Sequence, residues 1–158
     1  MAESHWLLTI IRRIVVYAVG ASLLFTGIMW KFQDSFLYMP SMPIQNQSDN
    51  PNGYRLPSER TKLQHYTDVE ISRKNGGPTL RGWFIRPEKN LSKKTIVFYH
   101  ENAGNIGLRM DYFERMVHVL NVNVLTVAYR GYSQSEGTPT EEGLKDDGLD
   151  IMKYAYYN

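Results

Sequence analysis

The chain has 158 residues, with 18 Lys and Arg against 16 Asp and Glu, and a formal net charge of +2. This small imbalance excludes the strongly basic surface typical of nucleic-acid-binding proteins, so we expect no nucleic acid as a partner. The lack of Cys excludes disulfide scaffolds, zinc fingers, iron–sulfur clusters and thiol nucleophiles. A mean hydropathy of −0.40 excludes several apolar membrane spans but allows one.

Residues 1–31 are predicted to form an amino-terminal membrane anchor, with a span at about Ile14–Trp30. The span carries no charge over about seventeen residues, near the lower limit for crossing a hydrocarbon core. A cleaved signal peptide is one alternative, but such a peptide ends at small residues, whereas bulky Met29 and Phe32 stand here. A buried core helix is the other alternative, and the small size of the chain argues against it.

The charges on the two sides of the span predict its orientation. Arg12 and Arg13 precede it and Lys31 follows, so the positive-inside rule places the amino terminus in the cytosol. We therefore expect a single-pass type II protein of the endoplasmic reticulum, another endomembrane or the plasma membrane, bound to the lipid bilayer through this span. In that orientation Asn46 and Asn90, each in an Asn-x-Ser sequence, are candidate glycosylation sites.

Residues 32–62 are predicted to form a Pro-rich linker. They contain four prolines among Asn, Ser, Gln and Gly, a composition typical of extended loops. Residues 63–158 change to alternating β-like and helical patterns, and we interpret them as a domain.

This domain begins with a hairpin pattern. Two β-like runs, Leu63–Arg73 and Leu80–Arg86, are separated by Asn75-Gly76-Gly77, a strong turn signal. We expect an antiparallel pair of strands.

An alternation of strands and helices follows the hairpin. The apolar runs 95–100 and 122–128 predict buried strands, and between them the apolar positions of 108–120 recur at helical spacing. The sequence Thr138-Pro139-Thr140-Glu141 has the pattern of a capping box, with Thr138 as the N-cap of a further helix. This order predicts an α/β fold with parallel strands.

Three motifs carry a family resemblance: Phe98–Gly107, Val127–Ser133 and Gly137-Thr138-Pro139. With them, the chain resembles the amino-terminal portion of the α/β-hydrolase family related to bud emergence protein 46 and to alpha/beta hydrolase domain-containing protein 13. The resemblance implies the amino-terminal half of an α/β-hydrolase sheet behind one transmembrane helix. It also implies a serine hydrolase without a cofactor, which cleaves ester, thioester or amide bonds of an acyl-containing substrate such as an acylated protein or a lipid.

The nucleophile motif of that fold, G-x-S-x-G, occurs nowhere in the sequence. Its nearest match, Gly131–Ser135, ends in Ser instead of Gly, so we interpret Ser133 as a loop residue. We therefore expect a fragment that ends before the nucleophile elbow, lacks the catalytic nucleophile, acid and base, and is inactive alone. Without the next strand, 95–100 should lie at an open sheet edge.

The resemblance implies that the loop after the strand at 95–100 supplies an oxyanion-hole donor. The backbone N–H of Asn102 is the first candidate and that of Ala103 is the fallback. His100 and Gly104 are expected to order this loop. One position departs from the family pattern, because the family usually has Gly or Ala where Glu101 stands.

No metal site is expected. Asp146, Asp147 and Asp150 lie on a predicted helix whose other face is apolar, so a solvated face is the better interpretation of this acidic cluster. The resemblance singles out Asp147 as the buried, structural one.

The sequence leaves two alternative functions possible. One is a non-enzymatic, membrane-tethered module that binds a lipid or a partner. The other is a dinucleotide-binding unit, in which Asn102-x-Gly104-x-x-Gly107 would approach the pyrophosphate and Arg130 would bind a 2′-phosphate.

Overall fold

The computed structural model describes residues 2–42, 56–60, 62–73, 76–88 and 93–158. The candidate glycosylation sites Asn46 and Asn90 lie outside the described residues, as does Asn75 of the predicted turn. The chain forms two compact units, Met1–Phe36 and Leu37–Asn158.

The first helix, α1, extends over Ala2–Leu37. Its segment His5–Leu37 is long and apolar enough to cross a membrane, and the side chains of this segment are exposed instead of packed in a protein core. The helix is longer than the predicted span at 14–30 and includes residues 32–37 of the expected linker. The reason is that no Pro or Gly occurs between Gly27 and Pro40, so nothing ends the helix earlier.

Further residues of the expected linker belong to the second unit. Met39 forms an isolated parallel bridge with Ala103. Pro57–Glu59 form a 3-10 turn in which Pro57 is buried. The described parts of 37–62 therefore belong to the second unit.

Four strands form one sheet in the second unit. They are β1 (Tyr66–Ile71), β2 (Leu80–Ile85), β3 (Thr95–Phe98) and β4 (Asn123–Val127), in the order β1-β2-β4-β3. The antiparallel pairing of β1 with β2 confirms the predicted hairpin. β4 is antiparallel to β2 and parallel to β3, so the sheet is mixed. Among the described strands, β3 lies at an edge.

Two helices supply apolar side chains to the two faces of the sheet, which confirms the predicted α/β class. They are α2 (Met110–Val119) and α3 (Glu141–Tyr157). Side chains of a strand alternate between its faces, so Val124 of β4 packs in the core cluster that contains Phe113 of α2. Its neighbour Leu125 packs in the cluster that contains Ile151 of α3. β4 is consequently buried along its whole length.

The start of α3 differs from the prediction. Its N-cap is Thr140, whose hydroxyl accepts a hydrogen bond from the Gly143 N–H at 3.1 Å, and not Thr138. Pro139 packs against Gly131, where an added Cβ would come within 2.6 Å of Pro139 Cδ. This contact holds Pro139 outside the helix, so the cap forms one residue after it.

The predicted helix at 108–120 also begins later than expected. Its first residues lie in a 3-10 turn, Ile106–Arg109, and the α-helix begins at Met110.

Gly82 allows β2 to approach β4 closely. A Cβ at this position would lie 2.1 Å from Thr126 O. We expect Gly82→Ala to lower the free energy of unfolding by about 1–3 kcal/mol, the usual cost of overpacking. Urea unfolding of the full chain in detergent micelles, followed by near-UV circular dichroism, measures the change.

Gly148→Ala is the matched control for this substitution. Its Cβ would meet only Tyr99 Cε1, at 3.9 Å, and alanine favours the helix in which it lies. Equal unfolding midpoints for Gly82→Ala and the unsubstituted chain would contradict the close approach of the two strands.

Candidate functional site

The residues predicted to carry the site lie together at the carboxyl ends of β3 and β4. These strands are parallel neighbours, so their carboxyl ends lie at the same end of the sheet. The segment 99–104 follows β3 there, and the turn 128–135 follows β4. The structure brings these two segments into contact through His100 and Tyr132.

His100 is buried, and its Nε2 joins the two segments while its Nδ1 bonds within its own segment. Its Nε2 accepts a hydrogen bond from the Tyr129 N–H at 3.0 Å, so the proton is on Nδ1, which donates to Glu101 O at 2.8 Å. The rings of Tyr129 and Tyr132 pack against the imidazole, with centroids 4.4 and 4.8 Å away. Burial lowers the pKa of His100 to about 4, so the imidazole is neutral at pH 7.

The carbonyl groups of residues 101–103 are held by donors on several elements. Glu101 O accepts from His100, as described, and Asn102 O accepts from the Met39 N–H at 2.9 Å and from the Tyr132 hydroxyl at 2.8 Å. Ala103 O accepts from Arg109 Nη2 at 3.1 Å. Burial raises the pKa of Tyr132 to about 12, so its hydroxyl keeps the proton that it donates.

The N–H groups of Asn102 and Ala103 have no hydrogen-bond acceptor among the residues that the structure describes. In a trans peptide the N–H points opposite to the carbonyl oxygen. The bonds to Glu101 O therefore orient the Asn102 N–H, and the bonds to Asn102 O orient the Ala103 N–H. Asn102 is exposed and Ala103 is half-buried, so a ligand can reach the loop.

Gly104 completes the turn of the loop. Its φ of +78° lies in the left-handed region, which side chains beyond glycine rarely adopt. Its N–H donates to Met39 O at 3.1 Å. The Gly104 N–H is thus already used within the protein.

Glu101 forms an ion pair with Arg109 Nε at 2.5 Å. Partial burial tends to raise the pKa of Glu101, but its own backbone N–H and the Arg109 guanidinium outweigh burial and lower it. Arg109 therefore neutralises the carboxylate beside the loop and also holds Ala103 O. Sequence reasoning missed Arg109, although its spacing from Glu101 brings it onto the turn that follows the loop.

The acidic cluster on α3 is divided between solvent and an ion-pair network. Asp147 is fully buried and accepts from the Arg130 N–H at 2.8 Å, from Arg130 Nη2 at 2.8 Å and from Arg73 Nη2 at 3.0 Å. Asp150 pairs with Arg73 Nε at 2.5 Å, so the expectation of a solvated face is wrong for it, whereas Asp146 is exposed. Within the described part of the chain, no three His, Asp or Glu side chains form a group that could hold a metal ion.

Arg130 is already paired with Asp147. This pairing argues against the alternative in which Arg130 binds the 2′-phosphate of a dinucleotide. Its guanidinium is mostly buried and packs on the first turn of α3, where a Cβ on Gly143 would come within 2.5 Å of Arg130 Nη1. A 2′-phosphate would have to compete with this buried carboxylate for the same guanidinium.

Ser133 lies in a cavity of about 220 Å³ whose lining contains no histidine. It is buried, has a φ of +50°, and its N–H donates to Asn105 Oδ1 at 3.3 Å. Ser133 thus lies in the turn that follows β4.

None of the protein-family models matches the chain. The chain is 31% identical to Protein bem46 of Schizosaccharomyces pombe over 138 residues, which are 87% of this chain and 44% of bem46. It is 34% identical over 116 residues to the alpha/beta hydrolase domain-containing protein WAV2 of Arabidopsis thaliana, covering 73% of this chain and 35% of that protein.

A crystal structure of an alpha-beta hydrolase from Vibrio vulnificus shares the fold, with a TM-score of 0.61 at 17% identity. The match covers 82% of this chain and 43% of that one. The chain belongs to an α/β-hydrolase family that resembles bem46. It spans less than half the length of the relatives it matches.

The burial of His100 makes the stability of this α/β-hydrolase unit depend on pH. The folded protein binds a proton at His100 only near pH 4, whereas the unfolded chain binds one near pH 6.5. The contribution of neutral His100 to the free energy of unfolding is therefore complete above pH 6.5. It decreases by about 3 kcal/mol in total as the pH falls to 4. Urea unfolding of the full chain in micelles between pH 7 and pH 4 measures it.

His100→Gln is the control, because a Gln side chain can accept from the Tyr129 N–H but does not titrate. Acidification also removes the stability contributed by carboxylates such as Asp150, whose pKa is lowered by Arg73 and Lys153, and this loss is the same in both proteins. The decrease in the free energy of unfolding between pH 7 and pH 4 should therefore be smaller in His100→Gln than in the unsubstituted chain. The same pH dependence in both would show that His100 is not the group responsible.

Proposed function

We propose that the chain supplies the oxyanion-binding loop of a membrane-anchored serine hydrolase that cleaves an ester, thioester or amide bond. The observation that carries the proposal is the loop 101–104, whose carbonyls are held by protein donors while two adjacent N–H groups keep no acceptor among the described residues. Preorganised N–H groups of this kind are what a developing oxyanion requires.

The Asn102 N–H is the proposed first donor and the Ala103 N–H the fallback. His100 is the proposed positioning residue for Asn102, because it holds Glu101 O in the peptide to which that N–H belongs. Gly104 permits the turn and joins the loop to Met39.

The serine nucleophile, the acid and the base are proposed to come from residues outside these 158. Two features support this. His100 has both nitrogens occupied and a low pKa, so it is a poor base. The sequence of these 158 residues contains no G-x-S-x-G motif.

The membrane attachment of the hydrolase is proposed to be through α1. The helix can cross a membrane, and Arg12 and Arg13 before the predicted span favour a cytosolic amino terminus. Residues 37–158 would then face the lumen or the exterior.

Binding of a tetrahedral anion tests the oxyanion loop without the need for a nucleophile. We expect hexylphosphonate, titrated into the full chain in lipid nanodiscs, to shift the amide NMR signals of Asn102 and Ala103 in a saturable manner. The expected cause is a hydrogen bond from these N–H groups to the phosphonate oxygen.

Two variants distinguish the role of the Asn102 N–H from the role of the Asn102 side chain. Asn102→Pro removes the N–H and should abolish binding, whereas Asn102→Ala keeps the N–H and should retain it. Absence of any saturable shift in the unsubstituted chain would favour a non-enzymatic binding module. Labelling of the chain by a fluorophosphonate probe would contradict the proposed external nucleophile.

Glycosylation tests the proposed orientation. In microsomes the expressed chain should lose mass on endoglycosidase treatment. The shift should disappear in Asn90→Gln and persist in Asn46→Gln, because Asn46 follows Trp30, the end of the predicted span, by only sixteen positions in the sequence. Unchanged mobility, together with digestion of residues 37–158 by protease added outside sealed microsomes, would reverse the orientation.

A further inference from the structure

β3 is an apolar strand that the described residues leave uncovered along one side. None of its four residues, Thr95–Phe98, is fully buried, whereas all five residues of β4 are buried. Among the described strands β3 pairs with β4 alone, so its other side is an open edge of the sheet. An open edge of this kind is a template for pairing with a further strand.

The backbone groups that face the open edge belong to alternate residues. Lys94 O accepts a hydrogen bond from the Asn123 N–H at 2.9 Å, so the even-numbered residues of β3 face β4. The N–H and C=O groups of Thr95, Val97 and Tyr99 therefore point away from β4. For Tyr99, which follows β3, the structure gives no backbone partner among the described residues. We call Thr95, Val97 and Tyr99 the edge residues.

Apolar side chains flank the edge residues on both faces of the sheet. On one face the Tyr99 hydroxyl donates to Gly148 O at 3.2 Å, and Met152 lies one turn later on the same side of α3. Tyr99 is 41% exposed and Met152 is 54% exposed. On the other face the half-buried Phe98 packs edge-to-face on Phe113 of α2, with ring centroids 5.2 Å apart. A strand paired with this edge would thus bury apolar surface on both faces.

The charges at the two ends of the edge have opposite signs. Lys93 precedes β3 and is exposed, and Glu101 follows β3 with its side chain 55% exposed. In an antiparallel pairing centred on Val97, Lys93 of each copy lies opposite Glu101 of the other, whereas an in-register parallel pairing places Lys93 opposite Lys93. Because Glu101 is shared with Arg109 of its own copy, this charge pattern sets the direction of the pairing more than its strength.

We propose that this chain forms a two-fold dimer in which β3 pairs antiparallel with β3 of a second copy, centred on Val97. The pairing joins two four-stranded sheets into one continuous sheet. Val97 faces Val97, and Thr95 of each copy faces Tyr99 of the other, so about six backbone hydrogen bonds form across the junction. The inference rests on the edge residues and their neighbours and does not depend on the proposed function.

Cysteine crosslinking tests both the contact and its direction, because the chain has no Cys of its own. Thr95→Cys, Val97→Cys and Tyr99→Cys each place a single thiol on the edge of the full chain in detergent micelles. In the proposed dimer the two Val97 Cα atoms lie about 5.5 Å apart, which a disulfide can span. Two Thr95 Cα atoms, or two Tyr99 Cα atoms, lie about 14 Å apart, which a disulfide cannot span.

After oxidation with copper phenanthroline, we expect Val97→Cys to form at least about fivefold more linked dimer than Thr95→Cys or Tyr99→Cys alone. A mixture of Thr95→Cys and Tyr99→Cys should also form linked dimer, because these two positions face each other. Val119→Cys, at an exposed position outside the edge, measures random collision. Similar yields from all four single variants would overturn the inference. Strong linkage of Thr95→Cys with itself would also overturn it, because it indicates parallel pairing.

Sedimentation of the full chain measures the strength of the association, with micelles in excess of protein so that two chains rarely share a micelle by chance. Val97→Pro removes an N–H that faces the second copy but none that bonds to β4, and proline is tolerated at such an edge position. Since each dimer then loses two backbone hydrogen bonds, we expect the dissociation constant to increase at least about tenfold. Val97→Ala keeps the N–H and should change the dissociation constant much less.

A chain that stays monomeric at every concentration would overturn the inference and leave the edge to a different partner. Equal dissociation constants for Val97→Pro and Val97→Ala would also overturn it, because such a dimer is held together elsewhere in the chain. Near-UV circular dichroism shows whether Val97→Pro is folded. The crosslinking comparison uses no proline variant, so it decides the question even where Val97→Pro does not fold.

Discussion

The candidate site depends on the hydrogen bonds and ion pairs of the buried Asp147 carboxylate. It is fully buried, and it is bonded to the backbone and side chain of Arg130 and to Arg73. Removal of one partner from such a buried ion pair costs about 3–5 kcal/mol, because the remaining charge is left uncompensated. The network therefore fixes the turn after β4. Tyr129 and Tyr132, which flank Arg130, then hold His100 and Asn102.

Glu101 creates an electrostatic problem for an oxyanion site, and Arg109 offsets it. Two like charges about 6 Å apart repel by about 3 kcal/mol at an effective dielectric constant of about 20. A carboxylate beside the loop would oppose an oxyanion with an energy of this order, reduced by solvent because Glu101 is half-exposed. The guanidinium of Arg109 cancels most of that charge while it binds Ala103 O. This explains how the loop can carry a carboxylate beside a site proposed to bind an anion.

Local sequence patterns were sufficient to predict the sheet but not the bonds that order the site. The β-like runs predicted β1 to β4 within a few residues, since apolar runs of β-formers and an intervening Gly-rich turn are local signals. The position of His100 and Asn102 after β3 followed from the family motif. The bonds between Met39 and the loop were missed, because a backbone bond between Met39 and Asn102 has no side-chain signature. Thr140 was missed as a cap because the contact of Pro139 with Gly131 is a tertiary one.

The protonation state of His100 determines which chemical role the loop can have. An imidazole that takes a proton from a nucleophile needs a free nitrogen and a pKa near the operating pH. His100 has neither, because Tyr129 and Glu101 occupy its two nitrogens and burial keeps it neutral. Its neutral form is nevertheless the one that the loop needs. A proton on Nε2 would turn the acceptor of the Tyr129 N–H into a donor, and the two N–H groups would then face each other. The loop is thus suited to binding an anion through backbone N–H groups and not to proton transfer.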